Sequence, residues 1–545
     1  LKAVVFFGFV IGSTAMRLWS GVAALQLVGF ALAFSLDYTY KCEPHSEIHA
    51  SRVLLQSDAQ YATHRMDQYA QYLGTHAQAS AALSPTLLVD CVSEAEVQSA
   101  VRFAAACGYK VTARSGGHSY TGSSSCNFDR CMQLDLGTMN KTTVRGNGVF
   151  GDGASITTGP GISLLGFAEV TMQNLVSVPH GGCSAVGFGG HFQSSAWGMM
   201  SHSHGSGMDL ISSFRMVLAN GSVAVVSRND ANDTVYKSVL GSAPGSWGII
   251  TEFTLDAVQD KTVPWTRAIF VTMYYSKSTF KAALTQAQFI AKDQEEKNLR
   301  DMKLVFVTAP PTEKPDTEVN VEVFMLWTGI DSGEMTQKWH DLYLQPFYDL
   351  PHKGFPETIN VPMPLSVATR IYASKWTNHD DRYAIQAYHS DHWWSEEFID
   401  EIADEVDARA NMLPWVYPNF QFLPLGHNSQ WARNAGMNSL SWRDTRAYVD
   451  DWMFTKNDSL YEPMRQRMVD FRERTKKHWQ YTTPPYDRST WMTPMTTYPN
   501  STDLRNETIA WGYFPDFDKF RKLQLLKAEL DPTDVFSNKG TIPMP

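Results

Sequence analysis

The sequence has no excess of positive charge. Among its 545 residues, 46 are Lys or Arg and 56 are Asp or Glu, which gives a formal net charge of −10 at pH 7. Binding to nucleic acid needs a basic face, so this composition argues against such a partner. Charged residues make up 19% of the chain and hydrophobic residues 43%, which excludes a disordered protein. The chain has no internal repeat and no low-complexity linker, and its length predicts more than one domain.

Long apolar runs are confined to the first 35 residues. Arg17 and the apolar run that follows it to Ala33 match the charged start, hydrophobic middle and small-residue end of a secretory signal peptide. Neither this run nor the apolar stretch Val4–Ile11 is long enough to span a bilayer. We therefore predict cleavage of residues 1–35, with a retained signal anchor as the alternative. The sequence opens on Leu1, and Met16 is a candidate start of the natural protein. Whether residues 1–15 belong to the natural protein therefore stays open. The mature protein is expected to be extracellular, with no membrane attachment.

Cysteine is also scarce, with six residues in the whole chain. Six Asn-x-Ser/Thr sequences accompany them, at Asn140, Asn220, Asn232, Asn457, Asn500 and Asn506. Behind a signal peptide, both features favour a secreted glycoprotein that folds in an oxidising compartment. Cys126 and Cys131 are close enough in sequence for a local disulfide, and Cys42 with Cys107 is a further candidate pair.

The pattern of predicted elements changes near residue 260. Residues 85–113 predict a strand, a helix that Ser93 caps and Gly108 ends, and a second strand. Strands dominate residues 132–254, whereas residues 262–480 mix strands with helices and hold most of the tryptophans. Further helices are predicted at 280–297, 396–410, 461–477 and 516–530, and a strand at 319–326. The second region therefore predicts an antiparallel sheet covered by helices.

Two glycine-rich segments carry the strongest chemical signal. The first is Arg114-Ser-Gly-Gly-His-Ser-Tyr120, and the second is His180-Gly-Gly-Cys-Ser-Ala-Val-Gly-Phe-Gly-Gly-His191. Glycines let backbone N–H groups approach a pyrophosphate or a flat ring closely. Each segment surrounds one nucleophile, His118 or Cys183, and both types of side chain can bond covalently to an electron-poor isoalloxazine ring. Taken singly, His118 fits an ordinary hydrogen-bonded loop histidine better, and Cys183 an ordinary buried thiol. Taken together, they indicate a doubly tethered flavin.

These segments resemble the vanillyl-alcohol oxidase superfamily and, more narrowly, the berberine bridge enzyme-like group with bicovalent FAD, nearest to its oligosaccharide and carbohydrate oxidases. Supporting segments are His204-Gly-Ser-Gly-Met-Asp209, Ala243-Pro-Gly-Ser-Trp-Gly-Ile-Ile-Thr-Glu252 and Leu530-Asp-Pro-Thr-Asp-Val-Phe-Ser-Asn538. The resemblance covers residues 85–255 and the C-terminal end. It implies an α+β fold with an FAD-binding domain of the vanillyl-alcohol oxidase type. This domain would be built from two parts, 36–260 and 486–545, with a substrate domain inserted between them at 261–485.

The resemblance also implies residue roles. His118 would bond to the 8α methyl of the flavin, which raises its reduction potential, and Cys183 would bond to C6. Further FAD contacts are implied for Arg114, Ser115, Gly116, Gly117, Ser119, His180, Gly181, Val186, Gly187, Gly189, Gly190, His191, Ile249 and Ile250. The Cys42–Cys107 pair resembles the N-terminal disulfide of the family, and no metal site is expected. The chain departs from the family at Ser195-Ala-Trp-Gly198, where relatives often carry Gly-Gly-Tyr/Phe-Gly.

Oxidising an alcohol requires a general base within hydrogen-bond reach of the hydroxyl. In the carbohydrate oxidases of this group, a tyrosine near the C-terminus takes the anomeric proton with the help of an acid. Tyr498 is the candidate here, with an ordinary strand tyrosine as the alternative, and Tyr120 is implied as a substrate contact. The strand Asn419–Gly426 resembles the family strand that carries the acid, yet it contains none, and Gln421 is the polar residue nearest that position.

The leading hypothesis is a secreted, monomeric oxidase that converts a mono- or oligosaccharide to its lactone and reduces O2 to H2O2. One alternative is oxidation or oxidative cyclisation of a secondary metabolite by the same fold, and another is a flavin-binding surface glycoprotein without activity. A dehydrogenase that avoids oxygen is a third. Tryptophans such as Trp376, Trp393, Trp394, Trp415, Trp431 and Trp442 are candidates for stacking on sugar rings, although aromatics at such spacing more often belong to a core.

Overall fold

The computed structural model describes residues 41–65, 83–126, 129–148, 152–228, 233–295, 300–308, 319–328, 335–375, 382–479, 503–538 and 540–545. The predicted signal peptide, Trp376 and Tyr498 lie outside this set. Contacts group Cys42–Pro545 into one compact unit, which holds every element named below. The predicted domain boundaries within it stay a prediction.

The strands, in chain order, are β1 Arg52–Leu55, β2 Leu87–Asp90, β3 Lys110–Arg114, β4 Cys131–Asp135, β5 Thr142–Arg145, β6 Ser155–Thr158, β7 Val176–Ser177, β8 Ile211–Val217, β9 Val223–Ser227, β10 Ile249–Asp256, β11 Val258–Gln259, β12 Arg267–Tyr274, β13 Arg300–Thr308, β14 Val319–Trp327, β15 Ile359–Pro362, β16 Arg382–Ser390, β17 Tyr417–Pro424 and β18 Ala447–Thr455. The helices are α1 Pro44–Glu47, α2 Tyr61–Arg65, α3 Glu94–Cys107, α4 Leu164–Gln173, α5 Phe188–Ser194, α6 Ser201–His204, α7 Asp233–Val239, α8 Lys277–Asp293, α9 Gln337–Tyr343, α10 Gln345–Tyr348, α11 Leu365–Ala373, α12 Glu396–Ala410, α13 Gln430–Arg433, α14 Asp458–Thr475, α15 Glu507–Tyr513 and α16 Phe517–Leu530.

The first sheet has the strand order β1-β2-β4-β3, in which β2 and β3 run parallel to β4 and β1 is antiparallel to β2. Helix α3 connects β2 to β3. Its start is capped as predicted, because the Ser93 side chain accepts a hydrogen bond from the Glu96 N–H, and it ends at Gly108 in the left-handed conformation. This strand–helix–strand unit carries the chain into the first glycine-rich loop.

The second sheet is antiparallel, with the order β5-β6-β10-β8-β9, and β7 pairs separately with β11. The sequence pattern of this region predicted mainly strands and missed four helices, of which α4 is the longest. Ser163 caps the start of α4, because its side chain accepts a hydrogen bond from the Gly166 N–H. Its buried side chains, Leu164, Phe167, Ala168 and Thr171, pack into the protein interior beside the second glycine-rich loop.

The third large sheet is antiparallel and seven-stranded, in the order β15-β12-β14-β13-β17-β18-β16. Helices α8 and α12 cover one face with a core that includes Phe422 and Val449. The opposite face contributes Ile385, Ala387 and Tyr448 to a core shared with the glycine-rich half of the protein. Because side chains alternate along a strand, the residues of β17 and β18 divide between helices on one side and the glycine-rich loops on the other. The predicted antiparallel sheet with covering helices is confirmed.

Two disulfides, Cys42–Cys107 and Cys126–Cys131, are formed as predicted, and Cys91 and Cys183 are free thiols. Helix α12 spans the predicted residues, whereas α8 and α14 each begin three residues earlier than the pattern predicted. Their caps explain the difference, because the Ser276 side chain accepts a hydrogen bond from the Thr279 N–H and the Asn457 side chain accepts one from the Ser459 N–H. In the described part of the chain, no helix has the length and apolar character needed to cross a membrane.

Candidate functional site

The two glycine-rich loops meet backbone to backbone. A Cβ atom on Gly116 would lie 2.4 Å from the Gly187 nitrogen, and one on Gly187 would lie 2.1 Å from the Gly116 nitrogen. No side chain fits in either position without moving the other loop. The Ser115 hydroxyl also accepts a hydrogen bond from the Gly189 N–H at 3.3 Å. The glycines therefore hold together two segments that are distant in sequence.

This contact brings the two predicted nucleophiles together. The Cys183 Sγ lies 3.7 Å from the His118 Nε2, although 65 residues separate them in the chain. Burial raises the pKa of the Cys183 thiol to about 11, opposed by a backbone hydrogen bond at Ala185 and by the positive charge of Lys303. At neutral pH the thiol is therefore protonated, and a nearby proton acceptor is needed before it can act as a nucleophile.

Both nucleophiles face a large cleft, which we define by its lining residues. From the predicted set these include Ser115, Gly116, Gly117, His118, Ser119, Tyr120, Gly181, Cys183, Val186, Gly187, Gly189, Gly190, His191, Ile249, Ile250 and Gln421. Sequence reasoning missed other lining residues, among them Thr112, Ser123, Pro160, Trp197, Gly245, Lys303, Asp450, Trp452, Asn538 and Gly540. The empty space is about 1530 Å³, part of it open to solvent.

Arg114 and His180 do not line the cleft. The Arg114 guanidinium forms an ion pair with Asp135, while its carbonyl accepts a hydrogen bond from the Leu136 N–H. His180 is buried, its Nδ1 lies 2.8 Å from the Gly181 carbonyl oxygen, and burial lowers its pKa. Both side chains support the loops from behind, and neither residue is among those that line the cleft, so the FAD contacts predicted for them stay predictions.

His191 does line the cleft and is held neutral. Its Nε2 accepts a hydrogen bond from the Gly181 N–H at 3.0 Å, which joins the two ends of the second loop. Burial, together with the nearby His180 and His118, lowers the pKa of His191 to about 3. A neutral ring with Nε2 as acceptor stabilises the loop and adds no charge to the cleft.

A small polar cluster lies beneath the first loop. His64, Asp90 and Asp135 bring their ligand atoms within 4.8 Å of one another. Their charges are already compensated, because Arg114 pairs with Asp135 and Arg52 lies 3.5 Å from Asp90. The cluster is an ion-pair network that supports the end of β3.

The glycine at position 190 indicates that the cleft accommodates a ligand. Gly190 lies in helix α5, and glycine inside a helix makes the helix less stable than alanine would. A Cβ atom at this position would meet no protein atom within 4 Å. Protein packing therefore does not require glycine here, whereas a ligand lying against the backbone would. Gly245, in the left-handed conformation, also lines the cleft and leaves the same free space. A flat, elongated group with a pyrophosphate fits this glycine-walled cleft.

We expect Gly190→Ala to stabilise the flavin-free protein by about 0.5–1 kcal/mol, because it replaces a helical glycine. The same variant should lower the flavin content per protein, because the new methyl group projects into the cleft. Urea unfolding of the flavin-free protein and the ratio of flavin to protein absorbance measure the two effects. Gly354→Ala is the matched control, since its Cβ also meets no atom within 4 Å but lies outside the cleft. Normal flavin content in Gly190→Ala would contradict the interpretation.

The wall facing the glycine loops is formed by the seven-stranded sheet. Lys303 of β13, Gln421 of β17 and Asp450 and Trp452 of β18 line the cleft. Gln421 and Asp450 are directly opposite each other in the β17–β18 pairing. The sequence showed no acid in β17, and the structure places one on the neighbouring strand. The Gln421 amide donates a hydrogen bond to Asn419 Oδ1 at 2.9 Å, which leaves its carbonyl oxygen available.

Lys303 is a fully enclosed cation in this wall. Its Nζ lies 5.0 Å from the centre of the Trp197 ring and donates a hydrogen bond to the Tyr372 hydroxyl at 3.4 Å. Burial lowers the pKa of Lys303 to about 8, against the stabilising charge of Asp450. Trp197 belongs to the segment Ser195–Gly198, which departs from the family pattern, so a divergent residue makes this cation–π contact.

Tyr120 is positioned by aromatic packing. Its ring makes edge contacts with Trp452 at 5.2 Å and Tyr383 at 5.7 Å, and its carbonyl accepts a hydrogen bond from the Tyr383 hydroxyl at 2.7 Å. The described tryptophans among those predicted as sugar platforms lie elsewhere. None of Trp393, Trp394, Trp415, Trp431 and Trp442 lines the cleft, and Trp394, Trp431 and Trp442 are buried. Trp197 and Trp452 are the tryptophans of the cleft wall in the described residues.

Comparison with known proteins identifies the glycine-rich half of this site. Residues 85–227 match the family model of the FAD binding domain. This part of the chain is an FAD-binding domain. It contains both nucleophiles and both glycine-rich loops. The cofactor predicted from the two loops is thereby supported, and the resemblance to the berberine bridge enzyme-like group is confirmed by the relatives that follow.

The chain is 27% identical over 207 residues to berberine bridge enzyme-like 18 of Arabidopsis thaliana, covering 38% of this chain and 37% of that protein. It is 23% identical over 471 residues to glucooligosaccharide oxidase of Sarocladium strictum, covering 82% of this chain and 85% of that protein. The structure of wild-type Physcomitrella patens BBE-like 1 superimposes with a TM-score of 0.71 at 17% identity, over 92% of this chain and 98% of that one. The alignment with the Arabidopsis protein thus spans little more than a third of its length. The predicted α+β fold with an FAD-binding domain is confirmed.

Proposed function

We propose that this protein is a secreted FAD-dependent oxidase that converts the anomeric hydroxyl of a mono- or oligosaccharide to a lactone and reduces O2 to H2O2. The observation that carries the proposal is the pair His118 and Cys183, 3.7 Å apart in a glycine-walled cleft of the FAD-binding domain. The polar wall of the seven-stranded sheet lies on the other side of the same cleft. A flavin ring bound against the glycine-rich loops would therefore meet its substrate on the side of the seven-stranded sheet.

The composition of the cleft wall supports a sugar as substrate. Gln421 and Asp450 offer hydrogen-bonding groups for hydroxyls, while Tyr120 and Trp452 offer aromatic surface for the apolar face of a pyranose ring. A relative that aligns over most of the chain is a glucooligosaccharide oxidase. The substrate-contact role implied for Tyr120 is kept in this proposal, and Gln421 is kept as a candidate catalytic residue.

The reaction balances as a two-electron oxidation. The hydroxyl O–H bond and the anomeric C–H bond break, a C=O bond forms, and the substrate loses two electrons and two protons. Bound FAD supplies the two-electron acceptor, and O2 finally takes two electrons and two protons to give H2O2. The protein must hold the sugar with its C–H bond toward the cofactor and must accept the hydroxyl proton. Tyr498, the predicted base, lies outside the described residues and keeps that role as a prediction.

The same proposal assigns two covalent bonds to the cofactor, from His118 to the 8α methyl and from Cys183 to C6. Each bond replaces one hydrogen on the flavin and one on the side chain. The two electrons and two protons released in each case go to O2, giving one H2O2 per bond. Two bonds retain a flavin in a cleft that is partly open to solvent, and an open cleft favours a bulky substrate such as the end of an oligosaccharide.

Secretion is supported by the two disulfides, because such bonds persist in oxidising compartments. The acceptor asparagines Asn140, Asn457 and Asn506 lie on the exposed surface. Asn457 and Asn506 cap helices through Oδ1, which leaves the amide nitrogen of each available for a glycan. The domain limits proposed from the sequence, with a substrate domain at 261–485, place the whole seven-stranded sheet in that domain.

A panel of mono- and oligosaccharides with a peroxide readout tests the function. We expect H2O2 formation, with one lactone formed per H2O2, for at least one reducing sugar, and none for the same sugar after reduction to its alditol, which lacks the anomeric hydroxyl. Peroxide formed only with aromatic alcohols or alkaloid-type substrates would favour the oxidation of a secondary metabolite. Absence of peroxide with every sugar would refute the proposal as stated.

A further inference from the structure

The acid missing from β17 has a counterpart on β18. Asp450 is directly opposite Gln421, so the two side chains point to the same face of the sheet, toward the glycine-rich loops. Both line the cleft that also holds His118 and Cys183. The Asp450 side chain is completely buried, and the space that it borders is this cleft.

One oxygen of this carboxylate is uncommitted. Asp450 Oδ1 accepts a hydrogen bond from the Tyr448 hydroxyl at 2.7 Å. Oδ2 is buried and has no hydrogen-bond partner among the described residues. Leaving a buried carboxylate oxygen without a partner is costly. A substrate hydroxyl bound in the cleft would supply the missing donor.

The charges around Asp450 set its protonation near neutrality. Burial raises the pKa of Asp450 to about 7; the positive charge of Lys303 and the Tyr448 hydroxyl oppose the rise, and the charge of Asp451 adds to it. Tyr372 also faces this group, and its own pKa is raised by burial and by Asp450. A carboxylate with this pKa changes its protonation state in the range where an oxidase operates.

Other groups in the wall are less suited to take a proton. The Gln421 amide is not basic. Burial and the neighbouring Asp450 raise the pKa of Tyr448 well above its usual range, and its hydroxyl already donates to Asp450. Lys303 is protonated below about pH 8.

We propose that Asp450, in place of the Tyr498 predicted from the sequence, is the general base of this oxidase, accepting the substrate hydroxyl proton on Oδ2 as the C–H hydrogen leaves with its electron pair. The proposal rests on the oxidase function given above. The O–H bond breaks, an O–H bond forms on Asp450, and the electron pair passes to the bound FAD. The proton then leaves the carboxyl group, and the two electrons reach O2 with two protons as H2O2. Lys303 acts as a positioning residue, because its charge holds the carboxylate in the ionised form.

The test compares the flavin-loaded wild type with Asp450→Asn, using cellobiose or maltose, whichever the panel shows to be oxidised. We expect Asp450→Asn to slow anaerobic flavin reduction by about 10²–10⁴-fold, the usual contribution of a general base, with flavin content unchanged. Asp260→Asn is the matched control, because Asp260 is another carboxylate whose pKa burial raises, but it binds Ser366 outside the cleft. A loss below tenfold in Asp450→Asn, with Tyr498→Phe inactive, would assign the base to Tyr498 and overturn the proposal.

The pH dependence gives an independent readout. The wild-type rate should rise about tenfold per pH unit below pH 7 and level off above it, because the base works only when ionised. Lys303→Met should move this rise to higher pH, since the carboxylate loses its stabilising charge, and this variant keeps the proposal testable if Asp450→Asn does not fold. A rise that stays in place in Lys303→Met would count against Asp450.

Infrared difference spectra of the holoenzyme require no substrate. A band of a protonated carboxylic acid should disappear on raising the pH through about 7 and should be absent from Asp450→Asn. A carboxylate ionised throughout that range would overturn the proposal, even if the sugar panel succeeds. If no sugar is oxidised, the function proposed above fails, while these spectra still decide the state of Asp450.

Discussion

We expect the His118→Ala/Cys183→Ala double variant to release all of its flavin when the protein is precipitated with acid, while the wild-type pellet stays yellow. Each single variant should also keep its flavin in the pellet, because one bond remains. The reason is geometric: the two nucleophiles face the same cleft at a separation of 3.7 Å and can reach neighbouring positions of one ring. Absorbance of the supernatant and the masses of tryptic peptides carrying residues 118 and 183 measure the outcome.

Cys91→Ala is the control for loss of a thiol. Cys91 is the other free cysteine, is fully buried and lies outside the cleft. Burial and the acidic neighbours Glu96, Asp90 and Asp135 raise the pKa of this thiol, so it has no thiolate to react. The control should retain its flavin. Free FAD in the wild-type supernatant would refute both covalent bonds, and flavin lost from only one single variant would leave one bond in place.

The glycine-rich loops could be predicted from sequence because their chemistry is local. Glycines at fixed spacing around His118 and Cys183 indicate close backbone approach, and the structure shows that approach at Gly116 and Gly187. The direction in which an individual side chain points could not be predicted from the residues next to it in sequence. Arg114 ends a strand, and its side chain turns to Asp135 on the neighbouring strand, a partner that only the sheet pairing brings into reach.

The polar wall could not be predicted because three strands that are far apart in sequence build it. Lys303, Gln421 and Asp450 meet only through the pairing of β13 with β17 and of β17 with β18. One signal was present in the sequence. Asp450 and Asp451 are adjacent acids inside an apolar strand, where alternation sends them to opposite faces. Asp451 pairs with Arg409 on the helix-covered face, so Asp450 had to find its partners on the other one.

The second large effect that we expect is on stability, at the contact between the FAD-binding domain and the proposed substrate domain. Asp209 belongs to the segment that supported the family resemblance, and both it and Arg443 are buried. Its two oxygens accept hydrogen bonds from the Arg443 guanidinium at 2.6 and 3.0 Å, and from the side-chain amides of Asn434 at 2.9 Å and Asn438 at 2.8 Å. The guanidinium also lies 4.6 Å from the centre of the Trp431 ring.

Asp209→Ala should lower the free energy of unfolding by about 3–5 kcal/mol, because it leaves a buried guanidinium without a counter-charge. The Asp209→Leu/Arg443→Met double variant should cost less than Asp209→Ala, since no buried charge then remains. Equilibrium urea unfolding followed by tryptophan fluorescence measures both. Glu462→Ala is the control, because Glu462 pairs with Arg465 at 2.8 Å on the surface, where an ion pair contributes about 0–1 kcal/mol. An Asp209→Ala cost as small as that of the control would mean that this ion pair contributes little to stability at this contact.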